Sequence, residues 1–255
     1  MCYDATAVPP VPHLADVAVT GEPVTLTSAD GTDFAAYLAR PERSRGTGVL
    51  LLPDNRGLSG FYEQLAERFA ERGYAALAID YFARTAGLDY RSRAADFQHL
   101  ENVMPHLAKL NKDTLYADFD AAIGRLRQHA PAVVSVGFCM GGRFALLTAA
   151  ARFGLAGVVG FYGFPDRLRD APGPTQLAAT FTAPILALWG GGDEGIPPSV
   201  VAAFDEALTA IGAEHEFVTY PDAPHGFFEL AQDEFADACA DSWRRLLAFI
   251  EKVDS

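Results

Sequence analysis

A cysteine stands at the tip of a glycine-rich turn near the middle of the chain. The apolar run Val133–Val136 leads into Gly137-Phe138-Cys139-Met140-Gly141-Gly142, and a helical pattern follows. Small residues two positions before and two after a nucleophile relieve the crowding where a strand turns sharply into a helix. Such a turn also sets the N–H of Met140 at a helix N-terminus, where it can stabilise an oxyanion. The pattern predicts a nucleophilic thiol at Cys139, in preference to the alternative of a buried structural cysteine.

An acid and a histidine follow in the order that goes with a nucleophile elbow. Asp193 comes just past one apolar run, and His225 lies beyond the end of the next. Because such runs are strands whose ends meet at one edge of a parallel sheet, the three side chains are expected to act together as a triad. Glu194 is the rival for the role of the acid. The structural alternatives are a helix cap for Asp193 and an ordinary loop position for His225.

Apolar runs that alternate with helical patterns would position these residues. The predicted strands are Gly48–Leu52, Ala75–Ile79, Val133–Val136, Ala156–Phe161, Ile185–Trp189 and Phe217–Tyr220, the first two of them buried. The predicted helices are 61–73, Leu115–Leu126, Met140–Phe153, Pro198–Ile211 and Phe235–Val253. Near the N-terminus, Val24–Thr27 and Phe34–Leu38 flank an Asp30-Gly31 turn, which indicates a hairpin. The order is typical of an α/β fold with a mostly parallel central sheet, an antiparallel N-terminal hairpin and helices on both faces.

The chain shows no repeat and no linker that would divide it. Residues 1–16 are rich in proline and are expected to form an extended arm, and residues 17–255 a single α/β domain. The segment 81–113 carries charges and no clear strand, so short helices and loops beside the site are expected there.

Composition weighs against several classes of function. The chain has 20 Lys and Arg residues and 33 Asp and Glu residues, which gives a net charge of −13. Neither nucleic acid nor an anionic membrane is therefore an expected partner. The three cysteines form neither a disulfide framework nor a zinc motif, and His99 and His106 have a spacing typical of a solvated helix face. No cofactor or metal is expected. Without a visible signal segment or membrane-spanning run, we expect a cytoplasmic protein, as a monomer or small homo-oligomer.

The motifs around the three residues resemble those of the dienelactone hydrolase family, a branch of the α/β-hydrolases with a Cys-His-Asp triad. The resemblance covers roughly residues 22–250, and its motifs are the elbow 137–142, Gly191-Gly192-Asp193 with Ile196-Pro197, Pro224-His225-Gly226-Phe227, Gly73-Tyr74-Ala75, Asp80-Tyr81-Phe82-Ala83-Arg84 and Phe161-Tyr162-Gly163. It implies an α/β-hydrolase fold and a carboxylic ester hydrolase that acts on a small-molecule ester or lactone.

The resemblance also implies roles for two residues that follow the first buried parallel strand. Asn55 would supply a second oxyanion N–H. Asp54 stands where the family usually has a glutamate that contacts the resting thiol, so Asp54 is expected to modulate Cys139. From the sequence alone, a solvated turn residue would be the preferred interpretation of Asp54.

Substrate recognition in the family uses arginines. The counterparts in the long segment that could bind a substrate carboxylate are Arg84, Arg91 and Arg93. A second family arginine follows the catalytic histidine by four residues, where this chain has Glu229. Because a carboxylate repels a carboxylate ligand, Glu229 weighs against the family's namesake substrate.

Aromatic residues near the motifs are candidates to line an apolar pocket, with ordinary core as the alternative. They are Phe138, Tyr162, Trp189 and Phe227, together with Phe161 and Phe228. The mechanism expected is attack by the Cys139 thiolate and hydrolysis of a thioester, which suits substrates with good leaving groups such as activated lactones. The alternatives are a Cys-dependent thioesterase or other acyl hydrolase, and a non-catalytic thiol sensor or binding protein, which would not need a full triad.

Overall fold

Strands occupy the buried apolar runs in this computed structural model, which describes residues 6–254. These residues divide into two units, 6–133 and 134–254. The predicted arm over 1–16 lies partly outside the described residues. Cys2 lies outside them. The prediction of a single domain over 17–255 stays a prediction.

The strands of the first unit form a mixed arrangement. They are β1 (Val19–Thr27), β2 (Asp33–Pro41), β3 (Thr47–Leu52) and β4 (Ala75–Ile79), in the order β1-β2-β4-β3. β2 pairs antiparallel with β1 and with β4, whereas β3 and β4 pair in parallel. β3 and β4 are buried along their whole length, as their continuous apolar sequence requires. The predicted antiparallel N-terminal hairpin is confirmed.

The helices of the first unit cover these strands and the long connection after β4. They are α1 (Gly60–Ala70), α2 (Ala83–Ala86), α3 (Leu100–Leu107) and α4 (Lys112–Leu126). α1 packs on β2 and β4 with Phe61, Leu65 and Phe69 buried. Asn111 caps α4 because its side chain accepts the first free N–H groups of that helix. The segment 81–113 thus consists of short helices and turns, as predicted.

The second unit is a regular parallel arrangement. Its strands are β5 (Ala132–Phe138), β6 (Gly157–Phe161), β7 (Ile185–Gly190) and β8 (His215–Tyr220), which pair in that order and in parallel. Its helices are α5 (Met140–Leu147), α6 (Pro174–Leu177), α7 (Pro198–Ala210), α8 (Phe227–Leu230) and α9 (Ala236–Asp254). The carboxyl ends of β5 to β8 therefore meet at one edge, and Cys139, Asp193 and His225 follow three of them.

The helix after the elbow is shorter than the sequence predicts. A helix over Met140–Phe153 was expected, but α5 ends at Leu147 and a separate 3-10 turn spans Ala151–Phe153. The Thr148 hydroxyl donates to the Ala145 carbonyl at 2.6 Å. The Ala149 carbonyl accepts N–H groups of the segment before β7 instead of helical ones. These bonds satisfy the backbone outside the helix, and so the helix stops.

Strands and helices alternate through both units, and the paired strands are mostly parallel apart from those of β2. The α/β fold class predicted from the sequence is confirmed. Among residues 6–254, no helix combines the length and the apolar character that crossing a membrane requires.

Candidate active site

The turn after β5 holds Cys139 in a backbone conformation that is rare for a residue with a side chain. Its φ is 55° and its ψ is −114°, which costs of order 1–3 kcal/mol. The Cys139 N–H donates to the Phe161 carbonyl at 3.0 Å, and the Cys139 carbonyl accepts the Arg143 N–H at 3.1 Å. The end of β6 and the first turn of α5 thus hold the strained residue from both sides.

Glycines surround the elbow because no side chain fits there. A Cβ on Gly137 would lie 1.9 Å from the Gly141 oxygen, and one on Gly142 would lie 2.3 Å from the Phe161 oxygen. A Cβ on Gly163 would lie 2.3 Å from the Gly142 carbonyl carbon. These contacts are with backbone, which cannot move aside. The crowding expected from the sequence at Gly137 and Gly142 is therefore present, and it extends to Gly163.

The N–H of Met140 belongs to the first turn of α5, directly after Cys139. Met140 is the first residue of α5, so its N–H is among those with no partner inside the helix. Cys139 and Met140 are both partly exposed. The oxyanion role of Met140 stays a prediction that this position favours.

Asp193 and His225 are joined by a hydrogen bond. The distance from His225 Nδ1 to Asp193 Oδ2 is 2.6 Å. The other oxygen, Asp193 Oδ1, accepts the Gly195 N–H at 2.9 Å, so the carboxylate is fixed at both ends. The Asp193 side chain is 3% exposed and that of His225 is 34% exposed. The bond through Nδ1 leaves Nε2 as the nitrogen that can exchange a proton with a reacting group. Glu194, the rival acid, is exposed.

A buried tyrosine lies against the histidine. Tyr162 directly follows β6 with a φ of 37°, and its ring centroid is 5.1 Å from that of His225. The Tyr162 hydroxyl donates a hydrogen bond to Glu229 Oε2. Both residues are nearly inaccessible to solvent. The sequence indicated Glu229 only as a departure from the family pattern, and its bond to Tyr162 was not predicted.

Comparison with known proteins identifies the family. The family model described as the dienelactone hydrolase family matches residues 34–253.

The chain belongs to the dienelactone hydrolase family.

Two curated relatives illustrate the similarity. A carboxymethylenebutenolidase of Rhodococcus opacus is 28% identical, with 99% of this chain and 97% of the relative covered. A candidate carboxymethylenebutenolidase of Salmonella typhimurium strain LT2 is 31% identical, with 94% and 90% covered.

Solved structures agree with this assignment. The crystal structure of a candidate dienelactone hydrolase from Klebsiella pneumoniae has a TM-score of 0.80 at 27% identity, covering 91% of this chain and 98% of that one. A dienelactone hydrolase-like promiscuous phosphotriesterase, P91, from metagenomic libraries shares the fold with a TM-score of 0.71 at 21% identity, covering 92% and 99%. The predicted α/β-hydrolase fold and the prediction of a dienelactone hydrolase-like carboxylic ester hydrolase for small molecules are confirmed.

In this member of the dienelactone hydrolase family, each arginine proposed for substrate binding is held by a carboxylate. The pairs are Arg84 with Asp30 and Asp118, both at 2.6 Å, Arg91 with Glu63 at 2.8 Å, and Arg93 with Asp80. A substrate carboxylate would have to compete with one of these partners. The binding role of the three arginines stays a prediction.

Asp54 is a buried partner of an arginine that the sequence reading missed. Asp54 Oδ2 accepts from Arg56 Nη2 at 3.0 Å and from Nε at 3.2 Å, and Oδ1 accepts the Arg56 N–H at 2.9 Å. Asp54 and Arg56 are each 5% exposed, so Asp54 is not the solvated turn residue that the bare sequence favoured. The signal in the sequence that could have indicated this ion pair was an arginine two positions after an acid at the end of a strand. The thiol-modulating role of Asp54 and the oxyanion role of Asn55 stay predictions.

The aromatic pocket candidates pack as core residues do. Phe138, Trp189 and Phe227 are almost completely buried. Phe138 stacks on Phe161 with ring centroids 4.6 Å apart, and Trp189 meets Phe217 edge-on at the same distance. These contacts favour the core alternative for the three residues. Tyr162 differs, because its ring touches His225.

Proposed function

We propose that this chain hydrolyses an activated ester or lactone through a thioester on Cys139. The observation that carries the proposal is the hydrogen bond between His225 Nδ1 and Asp193 Oδ2, 2.6 Å long, at the strand edge where the elbow also ends. An imidazole held through Nδ1 has the orientation that a general base needs. The strained elbow at Cys139 adds support, because strain of this kind clusters at functional sites.

The reaction would proceed in two halves. His225 Nε2 takes the proton of the thiol, and Cys139 Sγ attacks the carbonyl carbon to form the C–S bond. The Met140 N–H, with that of Asn55 as predicted, stabilises the oxyanion. The C–O bond to the leaving group then breaks, and the leaving oxygen takes the proton from Nε2. In the second half, Nε2 takes a proton from water and the hydroxide attacks the thioester. The C–S bond then breaks, the departing Cys139 Sγ takes the proton back from Nε2, and the acid is released.

The thiolate restricts the substrate. Because it is itself a good leaving group, the tetrahedral intermediate goes forward only when the ester oxygen leaves readily, as an enolate or phenolate does. The Rhodococcus opacus relative is named as a carboxymethylenebutenolidase, an enzyme for a lactone. An enol-lactone or an aryl ester is therefore the substrate class proposed here, and an unactivated alkyl ester is a poor substrate.

Glu229 favours a neutral substrate. It is buried, and it stands at the position four residues after His225 where the family pattern has an arginine. A substrate carboxylate in the same surroundings would be repelled by the Glu229 carboxylate. We therefore propose that the substrate is neutral or that another arginine binds its charge.

The test is the Cys139→Ala variant, assayed on an enol-lactone, an aryl ester and an aryl thioester. Turnover of all three should fall by several orders of magnitude while the circular dichroism spectrum is retained. Cys239→Ala is the matched control, since Cys239 is a buried thiol of α9 with no part in the proposed reaction, and its loss should leave kcat unchanged. A Cys139→Ala enzyme with nearly full activity contradicts the proposal. Thioester turnover well above lactone turnover in the unaltered enzyme favours the thioesterase alternative.

Other expectations remain proposals. A thiol sensor would not need a carboxylate fixed at both ends behind His225, so the sensor alternative has less support. We also propose that the chain acts without a cofactor and without nucleic-acid or membrane partners, as a monomer or small homo-oligomer in the cytoplasm.

A further inference from the structure

The backbone after β6 links the strands that carry the nucleophile and the acid. The Phe161 carbonyl accepts the Cys139 N–H at 3.0 Å. The N–H of the next residue, Tyr162, donates to the Leu188 carbonyl of β7 at 2.7 Å, in the strand that precedes Asp193. Tyr162 is therefore fixed from both neighbouring strands at the point where its φ becomes positive.

The Tyr162 side chain reaches the segment that carries the base. Its hydroxyl donates to Glu229 in α8, the short helix that begins two residues after His225. Its ring lies against the His225 imidazole with an interplanar angle of 59°. One side chain thus contacts the histidine itself and a carboxylate four residues further along the same segment.

We propose that Tyr162, held by Glu229, is a positioning residue that fixes the direction of the His225 imidazole. This inference rests on the proposed function, because it assigns Tyr162 to the proton transfers of His225. The bond from Asp193 restrains the imidazole at Nδ1 alone and leaves the ring able to pivot about that bond. A second restraint from the Tyr162 ring keeps Nε2 directed at the thiol and at the leaving oxygen.

A packing role alone explains the pair poorly. Burying the Glu229 carboxylate costs desolvation energy that an apolar side chain of similar size would not. The positive φ of Tyr162 adds backbone strain. Both costs are understandable if the hydroxyl must hold the ring in one place against His225.

The experiment compares removal of each partner with a matched control. Tyr162→Phe keeps the ring and removes the hydroxyl, Glu229→Ala removes the acceptor, and Glu229→Gln keeps an acceptor oxygen. Tyr220→Phe is the control, because the Tyr220 hydroxyl donates to Asp241 at 3.0 Å and its ring packs on Phe227 at 5.3 Å in the same unit. All variants are assayed on a neutral aryl ester.

We expect Tyr162→Phe and Glu229→Ala each to lower kcat about 10-fold with KM within about twofold, since small misplacement of a catalytic group slows the reaction. Glu229→Gln should stay within about threefold of the unaltered kcat. The double variant Tyr162→Phe/Glu229→Ala should lose no more than the worse single variant, because both changes break one interaction. Tyr220→Phe should leave kcat unchanged.

Proton NMR provides a readout that packing alone would not move. The low-field resonance of the His225 Nδ1 proton, bonded to Asp193, should broaden or shift in Tyr162→Phe and stay in place in Tyr220→Phe. An unchanged kcat and resonance in Tyr162→Phe overturns the inference in favour of packing. A rise in KM with kcat unchanged overturns it in favour of a substrate contact.

The Cys139→Ala result distinguishes failure of the proposed function from failure of the inference about Tyr162. An active Cys139→Ala enzyme refutes the proposed function and this inference with it. An inactive Cys139→Ala enzyme together with a fully active Tyr162→Phe enzyme refutes this inference alone.

Discussion

Two neighbouring acids, Asp193 and Glu194, have opposite surroundings. Asp193 is buried and bonded to His225, whereas Glu194 is exposed. Asp193→Asn should lower kcat about 100-fold or more, because an amide does not enforce the imidazole tautomer that a carboxylate does. Glu194→Gln removes the adjacent charge and should keep kcat within about twofold of that of the unaltered enzyme. A steady-state assay of both variants decides, and a larger loss in Glu194→Gln reassigns the acid of the triad.

The two described cysteines should differ in reactivity toward iodoacetamide. Burial, and then the charge of Glu229, raises the pKa of Cys239 to about 12, so this thiol stays protonated at pH 8. Cys139 is partly exposed at the elbow. Peptide mass spectrometry after labelling at pH 8 should find Cys139 modified, Cys239 intact and activity lost in parallel. A Cys2→Ser background removes the remaining thiol, and inactivation through Cys239 would contradict the site assignment.

Asp54 is tested best by a change that keeps its bond to the Arg56 backbone. Asp54→Asn retains Oδ1 as an acceptor for the Arg56 N–H and removes the charge, whereas Asp54→Ala would also remove that acceptor. If Asp54 modulates the thiol, the pH profile of Cys139 alkylation should move to lower pH in Asp54→Asn, because loss of a negative charge favours the thiolate. An unmoved profile indicates that Asp54 serves only to hold Arg56.

At the scale of elements, helix α4 contains a glycine that its surroundings do not require. Gly124 lies inside α4, and a Cβ there would meet no atom within 4 Å. Gly124→Ala should raise the free energy of unfolding by about 0.5–1 kcal/mol, since alanine restricts the unfolded chain and suits a helix. Urea denaturation measures this. Gly142→Ala is the opposite case and should destabilise, because its Cβ would meet the Phe161 oxygen at 2.3 Å.

Most elements could be predicted because each signal is local. β4 was predicted with its observed limits, since a continuous apolar run marks a buried strand. The parallel strands of the second unit were predicted within two residues. The end of α5 could not be predicted, because it depends on bonds from Ala149 to a segment more than 30 residues away.

The same distinction holds for the candidate site. Motif spacing was enough to propose Asp193 as the partner of His225. The bond between Tyr162 and Glu229 joins residues 67 positions apart. No local pattern specifies such a bond. The ion pairs of the three arginines escaped prediction for the same reason, since their partners come from other elements.

At the scale of the whole molecule, the net charge of −13 acts on the approach of an anion. We expect kcat/KM for a carboxylated aryl ester to be below that of its neutral match at low ionic strength. Part of this difference in kcat/KM should disappear as salt is added, because exposed charges are screened beyond about 8 Å at 0.15 M.

The difference in kcat/KM that remains at high salt depends on groups inside the site. Glu229 is buried and escapes screening, so Glu229→Arg should narrow the remaining difference. Initial rates with the matched pair of esters, from low to high salt, measure both effects. A preference for the carboxylated ester would overturn the proposal of a neutral substrate.

The backbone contacts of Gly137, Gly142 and Gly163 have a consequence for directed evolution. In a saturation library over the elbow, selection for activity should return glycine at these three positions whatever substrate is offered, because even a methyl group collides with main chain. Sequencing effort spent there yields no new specificity. Useful diversity must come from positions whose side chains do not shape the turn.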